Sequence, residues 1–163
     1  MIGRQFLFDA YGIPAPQGSK KAFVVNGRAA MSDDSKATAP WRNTVTIAAI
    51  EAKRADPEFE VFTQAVFLEI VFWMPRPKGA PKTIDVIPIT KPDNDKVQRS
   101  TYDAITAAGL WKDDNLVASV HALKRYAITR DFPFYDPEIH REEPGAQIAI
   151  TDIGRAWTPD GSL

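Results

Sequence analysis

The sequence has no cysteine and only two histidines, His121 and His140. Without thiols there is no disulfide scaffold, no thiolate metal site and no cysteine nucleophile. Two imidazoles leave little for a histidine-rich metal centre. Long hydrophobic runs are missing too. Stretches such as residues 61–68 fall far short of the roughly 20 apolar residues a membrane span needs, so no membrane partner is expected. The opening Met1-Ile2-Gly3-Arg4-Gln5 leads into an alternating segment and not an apolar core, so no signal peptide is expected. A surplus of one charge sign is also absent. The net charge of −1 taken alone speaks against a nucleic-acid partner. What remains for chemistry is oxygen: carboxylates, hydroxyls and amides.

What is present is ordinary globular material. A hydrophobic fraction of 44% and a charged fraction of 25% exclude disordered and low-complexity classes. The length of 163 residues suits one domain spanning 1–163. The near-zero charge, however, is a sum over unlike blocks. Residues 1–54 carry eight Lys/Arg against four Asp/Glu, and residues 71–100 carry six against three. Residues 55–70 have four acids and no base, and residues 101–163 have ten acids against six bases. Two basic blocks are therefore hidden in a neutral total. A run of this kind is ordinarily a solvated loop.

Residues 4–10 alternate and predict an opening strand. Residues 12–39 are rich in Gly, Pro, Ser and Lys and predict a long loop, with a short hairpin about Asn26-Gly27. Pro40-Trp41-Arg42 opens a helix that Asp56-Pro57 ends. Residues 61–74 are dense in Val, Phe, Leu and Ile and predict a buried central strand. Residues 75–92, with five prolines, form a second loop. The spacing of Val97, Thr101, Ala104, Ile105 and Ala108 predicts a helix over 94–108 capped by Gly109. Strands follow at 116–128 and 146–151, and the tail from 154 to 163 is expected to fray. The order predicts an α+β fold, with two main helices packed on a small mixed β-sheet.

Two acid pairs bracket the second helix: Asp93 and Asp95 where the loop enters it, Asp113 and Asp114 after it. The plain reading of the first pair is a helix N-cap and a first-turn acid. If the pairs converge, carboxylates without histidine make a hard-oxygen site suited to Mg²⁺ or Mn²⁺. Carboxylates so close would repel unless a cation joined them. A calcium loop is excluded, because its sixth position is Gln98 instead of glycine and its twelfth is Ala104 instead of glutamate. Glycine-rich phosphate loops, histidine-pair metalloprotease motifs and Gly-x-Ser-x-Gly elbows are absent. Asp95, Arg99 and Asp103 recur at four-residue spacing, as a surface ion-pair ladder would. Arg99 could instead stabilise charge developing on a phosphate. Trp41, Trp73, Trp111 and Trp157 are expected to pack in core or loops and not to stack on bases. His121 is expected to be half-buried in an alternating strand, and His140 is assigned nothing.

Lys91-Pro92-Asp93-x-Asp95, Asp103-Ala104-Ile105-Thr106 and Gly109-Leu110-Trp111-x-Asp113-Asp114 together resemble the RusA family of Holliday junction resolvases and its phage relatives. Pro14-Ala15-Pro16-Gln17-Gly18-Ser19-Lys20 and Trp41-Arg42 also look like the opening of family members. The resemblance implies a homodimeric, Mg²⁺-dependent endonuclease acting on four-way DNA in the bacterial or phage-infected cytoplasm. It implies metal-binding catalytic roles for Asp93, Asp95 and Asp114, with Asp113 beside them. Arg99 stands where the family often has a catalytic lysine. Lys96 stands where asparagine is common, and Leu116 where glutamine is frequent. Lys20, Lys21, Arg28, Arg76, Lys78, Lys82, Lys91 and Lys96 would hold the DNA backbone. Two other readings stay open: a non-catalytic junction-binding protein, and a metal-dependent phosphatase or nucleotide hydrolase.

Overall fold

The computed structural model describes residues 3–16, 20–25, 28–33 and 38–155, and side chains within 3–16 and 40–155. Strand β1 (Gln5–Tyr11) is followed by a ribbon of β2 (Lys20–Val25) and β3 (Arg28–Asp33). Val25 pairs with Arg28 across two residues, so the predicted hairpin is present inside the first loop, although Asn26 and Gly27 themselves lie outside the described residues. Helix α1 (Thr38–Ala55) and strand β4 (Ala65–Met74) come next. Helix α2 (Asn94–Ala107) then leads through a single 3-10 turn at Asp114–Leu116 into β5 (Val117–Tyr126) and β6 (Gly145–Gly154). The expected tail falls mostly outside the described residues, as does Trp157, which lies within 156–163.

Four strands form one mixed sheet in the order β1-β6-β4-β5. β4 runs antiparallel to β6 and parallel to β5. The parallel pair requires a crossover, and α2 supplies it. Val66, Leu68, Ile70 and Phe72 of β4 alternate into the core, each at most 1% exposed. The strand begins later than its composition predicts. Phe62 instead makes an isolated bridge to Trp111, and its N–H donates to the Leu110 carbonyl at 2.9 Å. β6 is longer than predicted, because Asp152 to Gly154 continue the ladder beyond Thr151. Among the described residues β5 pairs only with β4, so it is an edge strand, and His121 is exposed where the alternation predicts it half-buried. Trp41, Trp73 and Trp111 are buried, as expected.

α1 holds α2 along its length. Trp41 Nε1 donates to Thr101 Oγ1 at 3.2 Å in the core. Thr46 Oγ1 donates to the Ala104 carbonyl at 3.3 Å. Lys53 Nζ reaches the Ala108 and Gly109 carbonyls at 3.3 and 3.4 Å, placing a cation at the negative end of α2. Gly109 then turns the chain with φ of +69°, the left-handed value a helix-ending glycine tolerates. Trp111 Nε1 donates to Thr106 Oγ1 at 2.7 Å and ties the following turn back to the helix. The C-terminal half of the helix that the acids flank is thereby held.

Candidate active site

Asp93 occupies the N-cap position of α2, with extended backbone angles of −65° and 138°. Its carbonyl accepts from the Val97 N–H at 3.2 Å. Its side chain, however, makes no cap hydrogen bond. An aspartate at this position normally turns its carboxylate onto the next amides. Here the carboxylate is exposed and meets Lys96 Nζ at 3.4 Å instead. Asp95 lies in the first turn, also exposed. The plain N-cap reading of Asp93 thus fails for its side chain.

The second pair lies past the other end of α2. Asp113 Oδ1 accepts from the Asn115 N–H at 2.9 Å and caps the short turn. Asp114 is exposed, yet its carboxyl is pushed above its usual range. Partial shielding from water is the largest cause, followed by a side-chain hydrogen bond with Asp113 and the charges of Asp113 and Asp103. Tyr102 sits beside it. Burial and the Asp114 charge push its hydroxyl up to about 12, so it stays protonated while donating to Gln98 Oε1 at 3.0 Å. Asp103 therefore faces Asp114 as a like charge, which the surface-ladder reading does not anticipate. The motif Asp103-Ala104-Ile105-Thr106 was the signal for it. Arg99 is exposed and forms no ion pair with Asp95 among the described residues.

Among the described residues, no three Asp, Glu or His side chains come together closely enough to cage a metal ion. Asp103, whose charge acts on Asp114, lies about 12 Å along the helix from Asp95, at 1.5 Å per residue. The site thus offers two groups of carboxylates, at Asp93 and Asp95 and at Asp103, Asp113 and Asp114. Oxygen donors of this kind fit a hard divalent ion. Mg²⁺ keeps several waters and is commonly held by one or two carboxylates together with substrate phosphates. The crowding that lifts Asp114 is the electrostatic demand a cation would meet.

The basic residues divide. Lys78, Lys82 and Lys91 are exposed on the 75–92 loop. Arg76, expected at the DNA backbone, is committed to the loop itself. Its Nη2 donates to the carbonyls of Pro81 and, at 3.2 Å, Ile84. Its guanidinium lies 5.1–5.6 Å from the ring centres of Tyr126, Phe132 and Phe134. That engagement orders the loop. Lys96 is tied to Asp93. Lys20, Lys21 and Arg28 lie on the ribbon, and their side chains are outside the described residues. His140, which the sequence left without a role, is buried. Its Nδ1 accepts from the Asp136 N–H at 3.0 Å, and its Nε2 meets Asp85 Oδ2 at 3.1 Å, with Arg125 at 3.6 Å from the same oxygen. This network pins the proline-rich loop to β5.

The family described as "Endodeoxyribonuclease RusA" matches residues 12–150, which include the whole of α2 and both acid pairs. An uncharacterized protein of Bacillus subtilis (strain 168), YqaN, is 24% identical over 155 residues, covering 90% of this chain and 95% of its own. No helix among the described residues is long and apolar enough to cross a membrane. A mixed sheet crossed by an acid-flanked helix, matched over most of its length, places the chain in the RusA family of endodeoxyribonucleases, divalent-metal-dependent enzymes that resolve Holliday junctions.

Proposed function

We propose that the enzyme is a homodimer that cuts four-way DNA symmetrically with Mg²⁺, or Mn²⁺ in its place, leaving 5′-phosphate and 3′-hydroxyl ends. The observation that carries this reading is the carboxylate of Asp93, which leaves the helix amides and, among the described residues, meets only the exchangeable Lys96. That carboxylate stands where a cap would form, makes no cap bond and remains exposed beside Asp95. Asp93 and Asp95 would hold one ion together with substrate oxygens, and Asp114, backed by Asp113, would hold a second. Bound there, the ions would activate a water and stabilise the leaving oxygen in an in-line displacement.

The chain's own groups do the rest. Bare carboxylates would repel a phosphodiester, so Asp93, Asp95 and Asp114 would seat the scissile phosphate only with cations present, while the basic residues hold the junction without them. Arg99, exposed one turn beyond Asp95, would face charge gathering on the phosphate. Lys78, Lys82 and Lys91, with Lys20, Lys21 and Arg28 of the ribbon, would hold the backbone without reading bases. Lys96 would leave Asp93 for a phosphate once an ion arrives. A two-fold dimer would present two such sites to a junction of matching symmetry.

The test is a parallel digestion of four-way, flap, fork and duplex DNA, with and without Mg²⁺. The reading predicts paired symmetric cuts in the four-way substrate alone, abolished by EDTA. Equal cutting of plain duplex, or cutting that survives EDTA, would overturn it. Sedimentation of the free protein as a monomer would remove the dimer.

A further inference from the structure

We propose that Lys124 and Asn94 are positioning residues that lock the 90–95 corner onto β5 and thereby fix where the Asp93 and Asp95 carboxylates stand. The inference rests on the proposed role of those two carboxylates.

A corner that ends a proline-rich loop and starts a helix needs something to hold it. The usual device, the Asp93 side chain on the helix amides, is not used. The bonds come from β5 instead. Lys124 Nζ donates to the carbonyls of Thr90 and Pro92, both at 2.9 Å. In the other direction, Asn94 Nδ2 donates to the Ala122 carbonyl at 2.9 Å. Ala122 and Lys124 pair with Ile70 and Phe72 of the central strand β4. The carboxylates are thus referenced through three hydrogen bonds to the most buried part of the sheet. Two of those bonds have an ammonium donor, which makes them stronger than neutral ones.

The arrangement separates the task of holding from the task of binding. Asn94 sits between the two acids and spends its amide on the scaffold, so neither carboxylate has to. Its Oδ1 is buried without a partner among the described residues, so the donated bond is what orients this amide. Such outer supports of metal-holding carboxylates typically matter 10–100-fold for affinity or activity. The Lys124 ammonium is used on loop carbonyls, so its first-order effect is on the corner and not on DNA.

The experiment uses the full-length protein with Lys124→Met, which keeps length but loses the donors, Lys124→Arg, which keeps donors, and Asn94→Ala. Hydrogen exchange of the metal-free proteins, Mn²⁺ affinity by calorimetry and the Mg²⁺ dependence of junction cleavage are measured together. Lys124→Met and Asn94→Ala should exchange faster at residues 90–97, while amides of β4 and β6 keep their wild-type protection. Each should bind Mn²⁺ at least about 10-fold more weakly and need correspondingly more Mg²⁺, with wild-type junction affinity in EDTA. Lys124→Arg should restore most of the affinity. Unchanged exchange or unchanged Mn²⁺ affinity in both donor-deleting variants overturns the proposal. So does a Lys124→Met protein whose junction affinity in EDTA falls in step with cleavage, because the lysine would then be a DNA contact. If Asp95→Asn leaves Mn²⁺ affinity unchanged, the metal reading fails, and the exchange data still decide whether the corner is locked.

Discussion

Replacing Lys96 with methionine should tighten divalent-metal binding, although it removes an ion pair. The ammonium stands 3.4 Å from Asp93 Oδ2, where it competes with any cation that Asp93 would hold. Coulomb attraction at that distance in water is about 1.2 kcal/mol. The partners are 44% and 50% exposed, so screening and side-chain entropy reduce the net effect to about 0.5–1 kcal/mol. Removing the competitor should then lower the Mn²⁺ dissociation constant about two- to fivefold. Global stability should change by less than about 0.5 kcal/mol, since methionine is a good helix former and a cation in the first turn opposes the helix dipole. Calorimetric titration with Mn²⁺ at low salt reads the first effect and thermal melting the second. Lys96→Arg, which keeps the charge, should stay close to wild type. Unchanged or weaker Mn²⁺ binding by the methionine variant, with an intact melt, would refute the competition and with it the place of Asp93 at the metal.

Two further outcomes follow from the core and the acid turn. Trp41→Phe should cost about 1–2 kcal/mol, because Thr101 loses a buried donor and a small cavity opens, lowering Tm by about 2–8 °C. An unchanged melt would mean that Trp41 does not fix α1 on α2. Asp114 has a folded pKa raised above 3.8, so its ionised form is disfavoured by folding and its contribution to stability is lost as pH rises through the folded pKa. Asp114→Asn should therefore raise Tm at pH 7–8, with the gain shrinking as pH falls to 3.8 and below. A gain that grows in acid would contradict the like-charge crowding.

The elements that local chemistry specifies were legible. Asn26-Gly27 announces a hairpin, Pro40 a helix start and Gly109 a helix end, because each satisfies a backbone requirement of its own. Boundaries shifted where pairing overrides composition. Residues 61–64 look like strand but contribute only the Phe62 bridge to Trp111, and Asp152 looks like loop but stays in the ladder beside Arg4. His121 was misjudged because alternation records a pleat and not which strand lies at the edge. The residues of the site could be listed from their motif, but their grouping could not. Whether Asp114 meets Asp93 or Asp103 depends on how the turn after Gly109 folds against α2. The His140–Asp85 contact spans 55 residues and has no local signature at all. Arg76 shows the same limit: nothing in its basic loop announces the three aromatic rings and two carbonyls that hold it in place.

The central claim is that the carboxylates flanking α2 perform metal-dependent cleavage of branched DNA. Single-turnover cleavage of a four-way junction by wild-type and Asp95→Asn proteins, with junction binding measured alongside, tests it most directly. The account predicts Mg²⁺-dependent cutting by the wild type, and an asparagine variant that binds the junction as tightly but does not cut. A fully active Asp95→Asn protein would contradict it.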